Sequence, residues 1–113
     1  MDDIIRKALI YDYYSELLTE QQRKIYQEVY FDDYSISEVA RDEKITRQGV
    51  YDMLKRTEKA LQDYEDKLGL VTKHIKIKKL AEDIEVMANK AKDGDKKAIE
   101  GILKATRDIQ DGI

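Results

Sequence analysis

A short run of polar and basic side chains between Thr46 and Arg56 has residue types that recognise nucleic acid. The predicted contact residues are Thr46, Arg47, Gln48, Tyr51, Lys55 and Arg56. Arginine and glutamine form paired hydrogen bonds with base edges in a major groove, whereas lysine and hydroxyl groups contact phosphate. Helical spacing turns these side chains, and Asp52 with them, away from Val50, Met53 and Leu54. The pattern therefore indicates one exposed binding face.

Two short helices joined by a tight bend must position this face. Ser35 and Glu38 form a capping-box pattern that predicts the start of the first helix, and Thr46 caps the second. Ala40 supplies the small side chain that two crossing helices need. The apolar contacts come from Val39, Ile45, Val50 and Met53. This arrangement is typical of a helix-turn-helix, in which the second helix enters a major groove and the helix N-terminus at Ser35 contacts phosphate.

The run from Leu18 to Leu61 resembles the promoter-reading fourth region of bacterial sigma factors. The resemblance lies in the segments LTEQQR, SISEVA, RQGV and LKR. The additional segments YDYYSELLTEQQ and KRTEKALQDYEDKLGL are similar to the small bacterial YlxM family. These resemblances imply a helix-turn-helix protein that binds DNA or has a regulatory role, and they imply a connection with the signal recognition particle pathway.

One position departs from the sigma pattern, at the bend itself. The pattern usually has an apolar residue and then a glycine before the bend, whereas this chain has Glu43 and Lys44. A residue other than glycine can adopt the left-handed conformation at a cost on the order of 1 kcal/mol. The sequence thus predicts a bend that is looser or one residue longer than in the sigma pattern, which would re-aim the second helix.

Two helices are predicted ahead of the bend. The first covers residues 2–17, with one wide apolar stripe at Ile5, Leu9, Tyr13 and Leu17 and, beside them, Ile4, Ala8 and Tyr14. The second begins at a capping box formed by Thr19 and Gln22 and runs to about Phe31. A cluster of tyrosines is expected to pack at the edge of the core with its hydroxyls in water, rather than to stack on bases: Tyr11, Tyr13 and Tyr14.

The second helix of the bend is predicted to continue far past the contact residues, to a stop at Gly69. Its apolar seam is Val50, Leu54, Thr57, Leu61, Tyr64 and Leu68. Thr72 is then predicted to cap another long helix, which ends at a break around Gly94. The seam predicted for that long helix is Ile77, Leu80, Ile84, Met87 and Ala91, and the last helix has Ile99, Ile102, Leu103, Thr106 and Ile109.

These elements predict two parts in one compact unit. Residues 1–70 form a domain like sigma region 4 with an extended recognition helix, and residues 71–113 form a C-terminal helical hairpin for packing and dimerisation. The hairpin is expected to close over the Leu54 to Leu68 seam, which pairs within the chain or between two copies. A homodimer is therefore predicted.

Composition favours an all-α fold. The chain has 113 residues, no proline, five glycines and 40% charged residues, which suits solvated helices. The net charge is −3, whereas nucleic-acid binders normally have a basic surface. Residues 46–59 are locally basic, with four bases and two acids. Binding to DNA is therefore expected to depend on this one face.

The sequence offers no pattern for catalysis. Cysteine is absent and His74 is the only histidine, so neither a thiolate site nor a multi-histidine metal site is expected. Motifs for nucleotide hydrolysis, dinucleotide binding and zinc proteolysis are missing. We therefore expect a protein that is not an enzyme and that needs no cofactor or metal. An acidic start and the lack of a long apolar run predict a cytoplasmic location without a membrane.

The sequence thus predicts an all-α helix-turn-helix bundle with a C-terminal helical hairpin. Double-stranded DNA is the expected partner. The alternative is a non-catalytic scaffold that binds a component of the signal recognition particle, and the acidic surface favours that reading. Binding to RNA is left open.

Overall fold

The computed structural model describes residues 3–112. Over that range the chain is all-α. It divides into two compact units, and the boundary between them along the chain falls between Gly69 and Leu70. A 3-10 turn at Ser15–Leu17 follows the first helix. The helices are α1 (Asp3–Tyr14), α2 (Glu20–Tyr30), α3 (Ile36–Glu43), α4 (Arg47–Leu68), α5 (Leu70–Lys92) and α6 (Ala98–Gln110). The predicted start of the first helix at Asp2 lies outside the described residues.

Side-chain caps fix the starts of α2 and α3, as predicted. The amide of Gln22 donates to Thr19 Oγ1 at 3.1 Å, and the amide of Thr19 donates to Gln22 Oε1 at 3.0 Å. The same reciprocal pair links Ser35 and Glu38, at 3.1 and 3.4 Å. Each capping box satisfies backbone donors that the first helical turn leaves without partners. These starts are therefore encoded locally.

The predicted apolar stripe of α1 was wrong at most of its positions, and Tyr14 is its one buried member. Ile5, Tyr13 and Leu17 are 50%, 42% and 54% exposed, and Leu9 is half-buried. The buried side is formed by Ile10, Tyr11 and Tyr14. The helix ends at Tyr14, so the helical register does not extend to Leu17. The aromatic rings also offer more area for burial than the aliphatic side chains of the predicted stripe.

The tyrosine hydroxyls also depart from the prediction of a wet core edge. Tyr14 is 1% exposed, and its hydroxyl donates to Glu65 Oε1 at 2.6 Å. The ring of Tyr11 stacks on Tyr26 at 5.3 Å between centroids, and its hydroxyl donates to the carbonyl of Arg23 at 3.4 Å. The aromatic cluster is thus a central part of the first unit's core, with α1 held to α2 and α4.

The buried side of α4 follows the predicted seam only through Leu61. The buried residues are Val50, Leu54, Thr57, Leu61 and Glu65. Tyr64 is half-buried and Leu68 is 50% exposed, so the predicted end of the seam was wrong. A straight α-helix drifts about 20° per heptad relative to a 3.5-residue repeat, and the buried line therefore reaches Glu65. The predicted stop is confirmed, because Gly69 adopts a φ of +64°.

The second unit is a hairpin of α5 and α6, and Gly94 has a φ of +108° in the connecting turn. The prediction that Thr72 caps α5 was wrong, because α5 begins at Leu70, directly after Gly69. An N-cap residue has an extended backbone, whereas Thr72 lies inside α5. The single left-handed residue Gly69 is the whole connection between α4 and α5. No helix over residues 3–112 combines the length and apolarity that crossing a bilayer requires.

Small residues bring α6 close to α5. Ala98 and Ala105 are buried, and a Cβ added at Gly101 would overlap the sulfur of Met87. The predicted stripe of larger side chains was wrong in part, since Ile99, Leu103 and Ile109 are 48%, 51% and 37% exposed. Ile77, at the start of the α5 seam, is also exposed, whereas Leu80, Ile84, Met87 and Ala91 are half-buried.

Candidate nucleic-acid interface

A lysine closes the bend between α3 and α4. Lys44 follows the end of α3 with φ 57° and ψ 41°, which is the left-handed conformation. Its amide donates to the carbonyl of Arg41 at 3.3 Å, and the amide of Ile45 donates to the carbonyl of Ala40 at 3.0 Å. These bonds satisfy carbonyls at the end of α3. Lys44 thus ends α3 in the left-handed conformation itself, at a cost on the order of 1 kcal/mol for a residue with a Cβ.

Apolar residues behind the bend hold the two helices together. Val39 of α3 and Val50 of α4 are fully buried, and Ala40 and Leu54 are each 6% exposed. Complete burial of a valine or leucine side chain stabilises the folded state by roughly 1.5–3 kcal/mol. The predicted supports Ile45 and Met53 are half-buried. The second helix of the pair is thus fixed from one side, and its opposite side faces outward.

The N-terminus of α4 is capped by Thr46, as predicted. The amide of Gly49 donates to Thr46 Oγ1 at 2.9 Å. Ser35 Oγ accepts from the Glu38 amide in the same way at the start of α3. Both hydroxyls accept these bonds through oxygen and keep a proton for donation. Each is therefore able to cap its helix and still donate to an external oxygen.

All six predicted contact residues of α4 and its N-cap are exposed to solvent. They are Thr46, Arg47, Gln48, Tyr51, Lys55 and Arg56, and Tyr51 is 52% exposed. Ser35, the remaining predicted contact, is exposed at the start of α3. The face thus combines a carboxamide, a phenol and three cations that solvent reaches directly. Such groups donate to phosphate and base-edge oxygens without prior rearrangement of the backbone.

An acid, Asp52, lies within this face, as predicted. Asp52 is exposed, and its Oδ1 accepts a hydrogen bond from Gln48 Nε2 at 3.0 Å. The separation of four residues places two side chains next to each other on a helix, and this spacing was visible in the sequence. The Gln48 carboxamide therefore already donates one hydrogen bond, to Asp52. A carboxylate such as that of Asp52 is also able to accept a hydrogen bond from the amino group of cytosine.

Charged residues join α2 to α3 behind the face. Lys24 Nζ lies 2.8 Å from Glu43 Oε1 and 4.0 Å from Glu28 Oε1. The hydrogen bond to Glu43 raises the pKa of Lys24, while burial raises the pKa of the Glu28 carboxyl. The closer of these ion pairs links Lys24 of α2 to Glu43 of α3. The residues that the structure describes contain no group of acids and histidines arranged to hold a metal ion.

The comparisons with known proteins agree with this geometry. A family model with the description "Putative helix-turn-helix protein, YlxM / p13 like" matches residues 1–102. A UPF0122 protein of Caldanaerobacter subterraneus subsp. tengcongensis is 49% identical over 83 residues, covering 74% of this chain and 71% of the relative. A UPF0122 protein of a Thermoanaerobacter species is 40% identical over 113 residues, covering 96% and 97%.

A further relative extends the comparison to another genus. A UPF0122 protein of Listeria innocua is 41% identical over 85 residues, which cover 75% of this chain and 77% of that protein. The family match spans both units of the fold, and the capped helix pair is the feature that the family description names. On its sequence and its fold, the chain belongs to the UPF0122 family of YlxM/p13-like helix-turn-helix proteins.

Proposed function

We propose that this chain is a DNA-binding regulatory protein that inserts the N-terminal half of α4 into the major groove of a duplex. One observation carries the proposal: Arg47, Gln48 and Tyr51 are exposed on a helix whose opposite side is buried through Val50 and Leu54. A rigidly supported helix of this kind fits the major groove, which is about 12 Å wide. The membership of a helix-turn-helix family supports the same function.

Each contact residue has a proposed role. Arg47 and Gln48 lie nearest the bases, and Tyr51 and Lys55 lie beside them. Contacts to phosphate come from Thr46, Arg56 and the N-terminus of α3 at Ser35. Gln48 exchanges its bond with Asp52 for an adenine edge on binding. Base contacts then specify the sequence, and phosphate contacts fix the register of the protein on the duplex.

We further propose that the protein acts as a cytoplasmic homodimer in the signal recognition particle pathway. The YlxM resemblance supports the pathway. Ile99 and Leu103 support the dimer, because they are exposed one turn apart on α6 and a helical hairpin alone cannot cover both faces of its helices. Two copies also present two reading helices, which suits half-sites about 34 Å apart.

Selection of bound sites from random duplex DNA tests the DNA-binding function. We expect the wild type to enrich a sequence motif, and we expect Arg47→Ala combined with Gln48→Ala to lose that enrichment while helicity by circular dichroism is unchanged. A matched control is Lys67→Ala, at an exposed position near the far end of α4. Equal enrichment by the double variant, or no enrichment by the wild type, would contradict the proposal.

A second candidate function is a non-catalytic scaffold that binds a component of the signal recognition particle. The observation that favours it is the net charge of −3, which repels nucleic acid, together with Asp52 in the middle of the candidate face. Capture from a bacterial lysate, with and without nuclease treatment, separates the two functions. A scaffold retains the same partner after nuclease treatment, whereas a DNA-binding protein loses what it carried through DNA.

A further inference from the structure

A groove with cationic edges lies between α1, α2 and α4 of the first unit. Its cavity has a volume of about 350 Å³, and its lining residues are Lys7, Ile10, Tyr26, Lys55, Glu58, Lys59, Leu61 and Gln62. Ile10, Tyr26 and Leu61 are all less than a tenth exposed, so they form a closed floor. Three lysines form the accessible edge. The chemistry that this edge offers to a ligand is therefore mainly cationic.

The groove continues along α1. A second cavity of about 320 Å³ shares Lys7, Ile10 and Gln62 with the first and is also lined by Arg6 and Asp3. All four cations of the combined groove belong to the first unit, which otherwise carries an excess of acids over its first 34 residues. Both basic residues of α1 lie at this groove, whereas Asp12 of the same helix is not among its lining residues.

The acid in the centre of the groove is already engaged. Tyr30 donates from its hydroxyl to Glu58 Oε1 at 2.7 Å, and Lys7 Nζ lies 5.6 Å from the centre of the Tyr30 ring. Lys59 Nζ lies 3.0 Å from Asp63 Oδ2 in an exposed pair. Exposed pairs of this kind stabilise a protein by less than about 1 kcal/mol. A phosphate therefore replaces Asp63 as the partner of Lys59 at little cost.

The length of α4 places the groove beside the duplex. Lys55 lies eight residues after Arg47, which corresponds to about 12 Å along the helix, and Lys59 lies about 18 Å along it. The major groove is about 12 Å wide, so a helix that contacts bases at Arg47 reaches the sugar-phosphate strand near Lys55. Lys59 then lies at or beyond that strand, and Lys7 of α1 lies at the same cavity.

We propose that Lys7 and Lys59 bind the phosphate backbone of the duplex held by α4, and that the nucleic-acid interface thereby extends from the helix-turn-helix onto α1. This inference rests on the proposed DNA-binding function. Lys55 belongs to both surfaces, so the groove is continuous with the reading face. The partner is the strand that borders the occupied major groove, and the contacts add affinity without reading sequence.

The test is the salt dependence of binding to a labelled duplex of about 20 base pairs. Lys7→Gln combined with Lys59→Gln removes two charges and keeps most of each side chain's length. We expect the slope of log K against log salt to become shallower by about 1.8 for each bound copy, and so by about 3.6 for the proposed homodimer, since each lost phosphate contact removes about 0.9. The control, Lys78→Gln combined with Lys90→Gln on α5, removes the same charge at exposed positions and should leave the slope unchanged.

Acetylation of lysines in the wild-type complex gives an independent readout that does not depend on the folding of a variant. The duplex should protect Lys7, Lys55 and Lys59 from the reagent and leave Lys90 reactive. A slope equal to that of the control, or protection of Lys55 alone, would overturn the extension onto α1 and assign the groove to a different occupant. Either result would leave the major-groove proposal standing. A wild type that bound no duplex would instead overturn the proposed function itself.

Discussion

At the scale of single residues, a buried hydrogen bond from Tyr14 to Glu65 links two helices in the core of the first unit. Glu65 is 4% exposed, and Tyr14 Oη lies 2.6 Å from its carboxylate. Arg6 Nη2 lies 3.9 Å from the other carboxylate oxygen. A buried carboxylate requires such donors, because the interior solvates charge poorly. Glu65 therefore ties the end of α4 to α1.

Removing the Tyr14 hydroxyl should destabilise the protein. We expect Tyr14→Phe to lower the free energy of unfolding by about 1–3 kcal/mol, because a donor to a buried charged acceptor is lost. Tyr34→Phe is the matched control, since Tyr34 is 41% exposed between α2 and α3, and it should change stability by less than about 0.5 kcal/mol. Urea unfolding measures both. Equal effects of the two substitutions would show that this bond contributes nothing specific.

At the scale of elements, the bend between α3 and α4 determines how the reading helix is presented. Lys44 holds the left-handed conformation that ends α3, and Val39 and Val50 are buried behind it. The backbone cost of Lys44 is offset by the hydrogen bonds that its conformation brings to the end of α3. The geometry of the face thus depends on one strained residue.

Relieving that strain should stabilise the protein. We expect Lys44→Gly to raise the free energy of unfolding by about 0.5–1 kcal/mol, because glycine adopts a positive φ without a steric penalty. Lys55→Gly makes the same exchange inside α4 and should lower the free energy by about 1 kcal/mol. Thermal unfolding monitored by circular dichroism measures both. A loss of stability in Lys44→Gly would mean that the lysine side chain contributes more than its backbone conformation costs.

The ends of the helices were predictable from the sequence, whereas their buried faces were predictable only in part. Caps at Thr19, Ser35 and Thr46, and the stop at Gly69, were predictable because each depends on a few adjacent residues. The buried face of α1 was not predictable from the sequence. Tyr11 and Tyr14 are buried because they contact α2 and α4, and the sequence of α1 alone does not show these contacts. Glu65 was missed because its burial depends on Tyr14, which lies 51 residues away.

The candidate face was predictable in composition and only partly in arrangement. The sequence indicated the exposed run from Arg47 to Arg56 because polar residues alternate there with apolar ones at helical spacing. The groove that Lys7 shares with Lys55 and Lys59 was not predictable, since it requires the packing of α1 against α4. Long-range packing, rather than local pattern, brings these cations together.

At the scale of the whole molecule, association of two copies would present two reading helices to one duplex. We expect a dimer in analytical ultracentrifugation, and we expect Leu103→Lys to shift it toward monomer, because a charge would enter the proposed contact between α6 helices. Ile4→Lys is the control, since Ile4 is 77% exposed on α1. A wild type that sediments as a monomer, or a Leu103→Lys variant that remains dimeric, would contradict the proposed contact.

The central claim is that the exposed face of α4 binds duplex DNA, and the most direct test is equilibrium binding of a labelled duplex as salt is raised. Three cations of the proposed contact set, Arg47, Lys55 and Arg56, lie on this face in each copy. Each cation that contacts phosphate contributes about 0.9 to the slope of log K against log salt. We predict tight binding at low salt and a slope of about −5 for a dimer in which these three cations contact phosphate in both copies, and a steeper slope when Lys7 and Lys59 also contact phosphate. Binding that does not change with salt, or no binding at low salt, would contradict the claim.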